Sequence, residues 1–257
     1  MERDATPVVL TVENEVAYLS LENPPYNILT CEAMTRIGDA LETVAADATV
    51  KALAVTARGK AFSAGADVGE HTPEKAGELI ATFGRMFRLF RRLEIPVVMA
   101  VEGTALGAGF ELVLVADLLL AGERAKFGQP EIRLGFFAPL GVVLLPELVG
   151  PAKAAEITAS GRTYSAAEME AAGLVNRVVP AGETGAALEE ALDDFRKASP
   201  LVLRMNMRLL RELRGLPFEE ALDRAEGVFL NELMKTEDVR EGIASFFENR
   251  PPRWKNR

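Results

Sequence analysis

Two glutamates and their neighbours carry most of the chemical information in this 257-residue sequence. Glu111 closes the segment Ala105–Glu111, which contains two glycines, and Glu131 closes the segment Phe127–Glu131, which contains a glycine and a proline. Paired carboxylates are a common means of moving a proton and activating a water molecule on one substrate. The chain has one histidine and one cysteine, and we can assemble no serine, histidine and aspartate triad from it. The glutamate pair is therefore its strongest candidate for catalysis.

Small residues in two loops, one of them leading to Glu111, could expose backbone N–H groups to a ligand. Gly107 and Gly109 permit a sharp turn, and an apolar segment with helical spacing begins just after it. Unpaired N–H groups at such a helix start favour negative charge and can hold a developing oxyanion. The loop Gly65–Asp67 is a second place of this kind. Taken alone, each turn is equally compatible with glycines that serve only packing, because short glycine patterns are weak signals.

Composition excludes several classes of function. The net charge is −9, which argues against nucleic-acid binding because that needs a positive field. One histidine and one cysteine make a zinc site improbable, and we expect no metal. No apolar stretch reaches the length of about 18 residues that a membrane helix needs. The charged N-terminus, Met1–Asp4, does not resemble a signal peptide. Together with the lone Cys31, these features predict a cytoplasmic protein with no membrane partner.

The first half of the chain alternates strand and helix patterns. Residues 8–12 and 16–21 indicate a hairpin, and Thr30 can cap a helix with apolar spacings of three and four residues. A second, longer amphipathic helix is predicted over residues 79–93, and Pro96 stops it. Alternation of this kind is typical of an α/β fold. Three further buried strands are predicted at 50–56, 97–101 and 118–121.

The second half changes character. Ser165 and Glu168 form a capping-box pattern, and Leu174–Val179 is predicted to be a strand. Helical patterns then continue almost to the end of the chain. We place a boundary near residue 197, which gives an α/β body over 1–196 and a helical region over 197–257. The sequence shows no internal repeat.

Three motifs together resemble the enoyl-CoA hydratase/isomerase, or crotonase, family. They are Lys60–Val68, Ala105–Glu111 and Phe127–Glu131, and both their order and their spacing match the family pattern. The resemblance runs from Asn23 to Trp254, so it covers essentially the whole chain.

The resemblance implies a fold, an assembly and a mechanism. The fold would be a crotonase-like spiral of ββα repeats with a helical C-terminal trimerisation region, in trimers or in hexamers made of two trimers. An acyl-CoA thioester would bind with its carbonyl oxygen between the N–H groups of Ala66 and Ala108. Glu111 would deprotonate a water and Glu131 would deliver a proton, with no cofactor beyond the CoA of the substrate. The family commonly has glycine at the position of Ala108, but alanine keeps the N–H if its local φ is allowed.

Two alternatives to hydration stay open. Family isomerases move a double bond with a glutamate at the position of Glu131 alone, and some members of the fold do no catalysis. The presence of both glutamates favours hydration.

The resemblance also assigns a set of residues to substrate and CoA binding, and one segment departs from the family pattern. Residues 134–146 are bulky and apolar and lack the Thr-Gln-Arg of common hydratases. This version is similar to the cyclic dienoyl-CoA hydratases, which act on cyclohexa-1,5-diene-1-carbonyl-CoA, although apolar residues also suit an ordinary alkyl chain. The predicted binding residues are Pro25, Tyr26, Ile28, Ala64, Gly65, Asp67, Val68, Gly107, Pro130, Phe136, Pro139 and Lys255.

Several other residues have open roles at this stage. We interpret His71 as a loop residue, with a place in the CoA channel as the alternative. The apolar face of the second helix, with a place in the acyl pocket as the alternative, is interpreted as core and contains Phe83, Met86, Phe87 and Phe90. Candidates for the CoA phosphates, besides Lys255, are Arg58, Lys60 and Arg253.

Overall fold

The computed structural model describes residues 6–257, so the charged N-terminus Met1–Asp4 lies outside the described residues. Within that range there are nine strands and ten α-helices. The strands are β1 (Val8–Glu13), β2 (Val16–Leu21), β3 (Ala52–Ala57), β4 (Val97–Val101), β5 (Thr104–Leu106), β6 (Leu118–Gly122), β7 (Lys126–Gly128), β8 (Thr163–Ser165) and β9 (Arg177–Val179). The helices are α1 (Cys31–Ala46), α2 (Ala76–Arg92), α3 (Ala108–Val113), α4 (Gly141–Val149), α5 (Pro151–Ser160), α6 (Ala166–Ala171), α7 (Thr184–Arg196), α8 (Pro200–Glu212), α9 (Phe218–Asn231) and α10 (Glu237–Phe247).

The main sheet has six strands in the order β1-β2-β3-β4-β6-β9. The predicted hairpin is confirmed, since β1 and β2 pair antiparallel around the turn residues Asn14 and Glu15. All other neighbours in this sheet are parallel. Parallel neighbours need crossover connections, which α1 and α2 supply between β2, β3 and β4.

A second, smaller layer of strands carries the motifs. β5 pairs parallel with β7, and β7 pairs antiparallel with β8. Two isolated bridges extend this layer, one joining Ser63 to Ala105 and the other joining Leu29 to Ala66. Each of β3, β4 and β6 is thus followed by a short segment in this second layer and then by a helical segment. The ββα repeat is structural, and it leaves no repeat in the sequence because each unit buries different side chains.

Helices α1 and α2 match the predictions from apolar spacing. Thr30 caps α1 by accepting a hydrogen bond from the Ala33 N–H at 3.1 Å. The apolar face of α2 is buried, and its C-terminal residue precedes the turn to β4. The buried apolar positions of α1 are Met34, Ile37, Leu41 and Val44.

The core has two parts on opposite faces of the main sheet. The larger part lies between the sheet, α1, α2 and the second layer, and includes Phe62, Phe110 and Phe127. The smaller part lies under α7 and includes Leu120 and Leu192. The short second layer is therefore backed by closely packed aromatic side chains, which hold the motif loops in place.

The C-terminal helices are attached to the body by polar contacts. Arg211 of α8 donates to the Ile95 carbonyl oxygen and pairs with Asp117 at 2.8 Å. Asn256 near the C-terminus also donates from Nδ2 to the Ala48 carbonyl oxygen at 3.1 Å. Within the C-terminal region, the buried carboxylate of Asp238 accepts from the Ser199 hydroxyl at 2.5 Å and from the Lys255 N–H at 2.7 Å. Because the two regions are joined by such contacts, the structure does not test the division at residue 197, which stays a prediction.

One predicted element is shorter than expected. β9 covers only Arg177–Val179, whereas the sequence pattern predicted a strand over Leu174–Val179. The N–H groups of Leu174 and Val175 donate instead to the Met169 carbonyl oxygen at the end of α6. The first residues of this apolar run therefore complete the end of α6, and only the later residues form β9.

Candidate active site

Glu111 lies in the first turn of α3 with only 2% of its surface exposed. Its Oε1 accepts hydrogen bonds from the Leu140 N–H at 2.7 Å and the Gly141 N–H at 3.0 Å. The pKa of Glu111 is raised to about 8, mainly by burial and to a smaller extent by the nearby charge of Glu131, against the opposing effect of the two N–H donors. Glu111 is therefore a buried carboxyl whose proton can be exchanged near neutral pH.

The two donors come from the start of α4. N–H groups at a helix N-terminus have no partner within the helix, and the helix dipole favours an anion there. Leu140 precedes the helix and Gly141 opens it. α4 thus fixes one oxygen of the Glu111 carboxylate and leaves the other available.

Glu131 lies in a 3-10 turn, Pro130–Leu134, and is partly buried. Burial raises its pKa, while its own backbone N–H and the nearby His71 act in the opposite direction. The side-chain amide of Gln129, oriented to satisfy both groups, donates to the two Glu131 oxygens at 3.0 and 3.2 Å. Gln129 is itself buried, so it restricts the orientation of the carboxylate.

The backbone N–H groups of Ala66 and Ala108 are free to bind a ligand. Within residues 6–257 neither N–H donates a hydrogen bond to another protein group. Ala108 is the first residue of α3, and the positive φ of this turn, 56°, falls on Gly107 instead. Alanine at position 108 is therefore compatible with the backbone, although the family commonly has glycine at this position.

The two loops that carry these N–H groups touch each other. A Cβ atom added to Gly65, whose φ is 107°, would lie 3.1 Å from the Leu106 carbonyl oxygen and 3.6 Å from the Ala108 nitrogen. A Cβ on Gly107 would lie 3.0 Å from Glu131 Oε1. Glycine is favoured at both positions by the positive φ, and at Gly65 also by the close approach of the Leu106 backbone.

Two polar residues brace the first of these loops, and sequence reasoning missed both. The buried Asn27 donates from Nδ2 to the carbonyl oxygens of Arg58 and Ala61, each at 2.8 Å. The Ser63 hydroxyl donates to the Asn27 carbonyl oxygen at 2.8 Å and accepts from the Gly65 N–H at 3.2 Å. These bonds join segments far apart in the chain, so no local sequence pattern could reveal them. The sequence signal that was available came from Asn27, which follows two prolines and indicates a turn.

Both glutamates and both free N–H groups face one cavity of about 400 Å³. Volumes of this size suit a small-molecule ligand. Of the described residues that line it, only Glu111, Glu131 and His71 have polar side chains. The cavity is lined by Ala64, Gly65, Ala66, Val68, His71, Ala76, Leu79, Ile80, Phe83, Gly107, Ala108, Glu111, Pro130, Glu131, Leu134, Gly135, Phe136, Phe137 and Pro139.

The cavity includes most, but not all, of the predicted site residues. The predicted binding residues that do not line it are Pro25, Tyr26, Ile28, Asp67 and Lys255. Asp67 accepts from the Gly69 N–H at 2.7 Å, and Lys255 pairs with Glu237 at 3.1 Å. Pro25 and Tyr26 contribute only carbonyl oxygens to the Lys60–Ala64 backbone. Their assignment to the CoA moiety stays a prediction.

Two residues have places that the sequence interpretation did not favour. His71 lies in the cavity wall, and its Nδ1 is 2.8 Å from the Asp67 carbonyl oxygen. Phe83 also lines the cavity, whereas Met86, Phe87 and Phe90 are core residues as expected. Core residues and cavity-lining residues on one helix face share the same apolar spacing in the sequence. Only the folded structure shows which of them border the cavity.

No group of three or more histidine, cysteine, aspartate or glutamate side chains within 6–257 could hold a metal ion. In the same part of the chain no helix combines the length and apolarity required to cross a membrane.

Known proteins resemble this chain over nearly its full length. A family model described as enoyl-CoA hydratase/isomerase matches residues 11–257. The cyclohexa-1,5-dienecarbonyl-CoA hydratase of Thauera aromatica is 33% identical over 259 residues, covering 100% of both chains. The 2,3-dehydroadipyl-CoA hydratase of Escherichia coli strain K12 is 32% identical over 256 residues, covering 97% of this chain and 99% of the relative. The solved structure of a Mycobacterium smegmatis enoyl-CoA hydratase has a TM-score of 0.90 at 30% identity, covering 96% of this chain and 98% of that one.

Proposed function

This chain belongs to the enoyl-CoA hydratase/isomerase family and is an enzyme of the enoyl-CoA hydratase type, and from that premise we propose how its own residues act. The resemblance predicted from its motifs is confirmed. The reaction adds water across the double bond of an α,β-unsaturated acyl-CoA thioester. The observation that carries the proposal is the presence of Glu111, Glu131 and two free N–H groups around one cavity.

The N–H groups of Ala66 and Ala108 bind the thioester carbonyl oxygen. Negative charge grows on that oxygen as a nucleophile adds to the β-carbon, and the two donors stabilise it in place of water. Loss of one such donor typically lowers the rate by about 10²- to 10³-fold. The Gly65 and Gly107 loops pack closely against each other, which brings the two donors near each other.

The two glutamates divide the proton transfers between them. Glu111, ionised, takes a proton from water while the water oxygen bonds to the β-carbon, and the π electrons move into the enolate. Glu131, protonated, then gives its proton to the α-carbon. Water thereby contributes OH to the β-carbon, its remaining proton stays on Glu111, and proton exchange between the carboxyls and solvent restores the starting state. No electrons leave the substrate, so the step needs no redox cofactor.

The environments of the two carboxyls keep a proton available on the pair near neutral pH. Two N–H donors favour the ionised form of Glu111 and partly offset the burial that raises its pKa to about 8. Close carboxylates repel, so the pair favours one shared proton. A single proton on the pair is the state that hydration requires.

For the acyl group we propose a cyclic dienoyl-CoA. The Thauera aromatica relative is named for such a substrate. In this chain the segment of residues 134–139 supplies apolar wall, including Leu134, Phe136 and Pro139. Flat rings are well accommodated by aromatic and aliphatic walls. A linear alkenoyl group is the alternative.

A paired turnover assay tests the proposal. The protein is given crotonyl-CoA in one reaction and cyclohexa-1,5-diene-1-carbonyl-CoA in the other, and products are read by mass for a gain of water. Gain on the cyclic substrate alone supports the ring assignment, and gain on crotonyl-CoA alone replaces it with a linear substrate. A shifted double bond without added water would replace hydration by isomerisation. Absence of any turnover, with acyl-CoA still bound, would indicate a non-catalytic binding protein.

We also propose assembly into trimers or pairs of trimers, and location in the cytoplasm. The support for assembly is the exposed apolar surface of α9 and α10, which have few buried residues of their own. Two of the exposed side chains are adjacent, Phe246 and Phe247, each 80% exposed.

A further inference from the structure

The charges in the cavity wall restrict the acyl group that it can hold. Of the described residues that line the cavity, none is a lysine or an arginine, while two are carboxylates. Arg133, the nearest basic residue in the chain to Glu131, lies against Gly161 and does not line the cavity. With one proton on the pair, any anionic group on the acyl chain would meet the remaining carboxylate charge without a lysine or arginine as counterion.

The ring of His71 is already engaged by the protein. A carbonyl oxygen only accepts, so Nδ1 must donate its proton to the Asp67 oxygen 2.8 Å away and is not free to bind an acyl group. The ring packs against Phe136 with centroids 5.2 Å apart. His71 also lowers the pKa of the nearby Glu131, so it already acts on one carboxyl of the wall.

The rest of the wall is apolar and partly uncovered. Leu134 is 62% exposed and Phe137 is 68% exposed, and Ile80 and Val68 are also exposed large apolar residues. All four line the cavity. An apolar acyl group would cover them and gain hydrophobic stabilisation, whereas a carboxylate placed there would lose its hydration without a partner.

We infer that this site selects acyl groups that are uncharged and apolar beyond the double bond and rejects acyl chains that end in a carboxylate. The inference rests on the proposed function for the placement of the acyl group in this cavity. The Thauera and Escherichia coli relatives are named for substrates of these two classes, and their identities of 33% and 32% to this chain are too similar to choose between the classes. The inference makes that choice.

The test compares two substrates of equal chain length. trans-Hex-2-enoyl-CoA ends in a methyl group, and trans-hex-2-enedioyl-CoA ends in a carboxylate. We expect kcat/KM to favour the first by at least about 100-fold, because like charges at close range repel strongly in a partly dry site. Equal values within about threefold would overturn the inference.

A charge-introducing variant makes the test specific to the wall. Ile80→Lys places a cation at a half-exposed wall position, and Ile80→Met is the matched neutral control. We expect the lysine variant to raise relative kcat/KM for the dicarboxylic substrate at least about tenfold and the methionine variant to leave the ratio unchanged. If wild type accepts the dicarboxylic substrate and His71→Leu abolishes that acceptance, the imidazole is a counterion and the inference is wrong.

A binding measurement separates failure of the inference from failure of the proposed function. Hexanoyl-CoA and adipoyl-CoA are saturated analogues that cannot react, and their Kd values are read by calorimetry. If neither enoyl substrate gains water, hydration of such substrates is wrong, but a weaker Kd for adipoyl-CoA still supports charge selection. Equal Kd values would overturn the selection whatever the turnover.

Discussion

At the scale of single residues, the two carboxyls differ in what surrounds them. Glu111 is almost fully buried and receives two backbone N–H bonds at one oxygen. Glu131 is partly buried and is held through both oxygens by Gln129. Different surroundings allow two chemically identical groups to act as base and acid on one substrate.

The first prediction concerns removal of either carboxylate. Glu111→Gln and Glu131→Gln should each lower kcat by about 10²- to 10⁴-fold, because each removes one proton-transfer group. Initial rates with the accepted substrate measure the effect, and thermal unfolding of each variant serves as the control for folding. A variant that folds normally and keeps near-normal hydration would show that its residue is not catalytic.

The second prediction concerns the pH dependence of stability. The pKa of Glu111 is raised to about 8 in the folded protein, above its ordinary value. Its contribution to stability is therefore fully present below the unfolded pKa and is lost as pH rises through about 8. Glu111→Gln imitates the protonated form at every pH. We expect the Tm of the variant to rise relative to wild type between pH 5 and pH 9.

That comparison needs a reference for other titrating groups. The exposed Glu219 in the first turn of α9 offers one, since Glu219→Gln makes the same chemical change on the surface. A Tm difference for Glu111→Gln that stays constant with pH, or follows that of Glu219→Gln, would contradict the raised pKa.

At the scale of elements, helix starts and short loops determine the chemistry. The start of α4 holds Glu111, and the turn into α3 directs the Ala108 N–H toward the cavity. Both places use backbone groups that a helix leaves unpaired. The long helices α1 and α2 contribute differently, by packing behind the sheet that carries these loops.

The third prediction tests the α4 contact. Leu140 has φ −79° and ψ −35°, which proline can adopt, so Leu140→Pro removes the N–H donor at little backbone cost. The lost donor stabilised the ionised form of Glu111, so its pKa should rise. The ascending limb of the kcat/KM profile should move to higher pH, and the rate at neutral pH should fall by about tenfold, as for loss of a charge-assisted bond.

Leu140→Ala is the matched control because it removes the side chain and keeps the N–H. Its pH profile should coincide with that of wild type, even if its stability is lower. An equal displacement of both profiles would show that the side chain, and not the donor, is responsible.

At the scale of the whole molecule, the two layers of strands have different roles. The six-stranded sheet provides the core, and the smaller layer with its bridges at Ser63 and Leu29 carries the site loops. Outside the body, α9 has no buried residue and α10 buries only Asp238 and Ser245. A helix that covers so little apolar surface within its own chain is suited to an interface between chains.

The fourth prediction is that these helices mediate self-association. Light scattering should give a mass that is three or six times 27.8 kDa. Phe246→Asp, at a side chain that is 80% exposed, should lower that mass because a buried charge would be unpaired. Val12→Asp, at an exposed apolar position on the edge strand β1, is the control. A monomeric wild type would exclude the assembly, and an unchanged mass for Phe246→Asp would exclude this surface.

Much of the fold was predictable because its signals are local. The β1–β2 hairpin, the Thr30 cap and the Ser165 capping box depend on residues close in sequence, and all three are confirmed. The strand predicted from Leu174 was too long because its apolar residues serve the end of α6. An apolar run specifies burial but not the partner that buries it.

Motif order and apolar spacing are properties of the unfolded chain, so they were enough to predict the family, the α/β pattern and the two glutamates. The folded structure was needed to show that the Leu140 and Gly141 N–H groups bind Glu111, that Asn27 braces the Ala66 loop, and that His71 lies in the cavity wall. These facts depend on contacts between segments far apart in the chain. The pKa of a carboxyl depends on its desolvation and on neighbouring charges, and those neighbours exist only once the chain is folded.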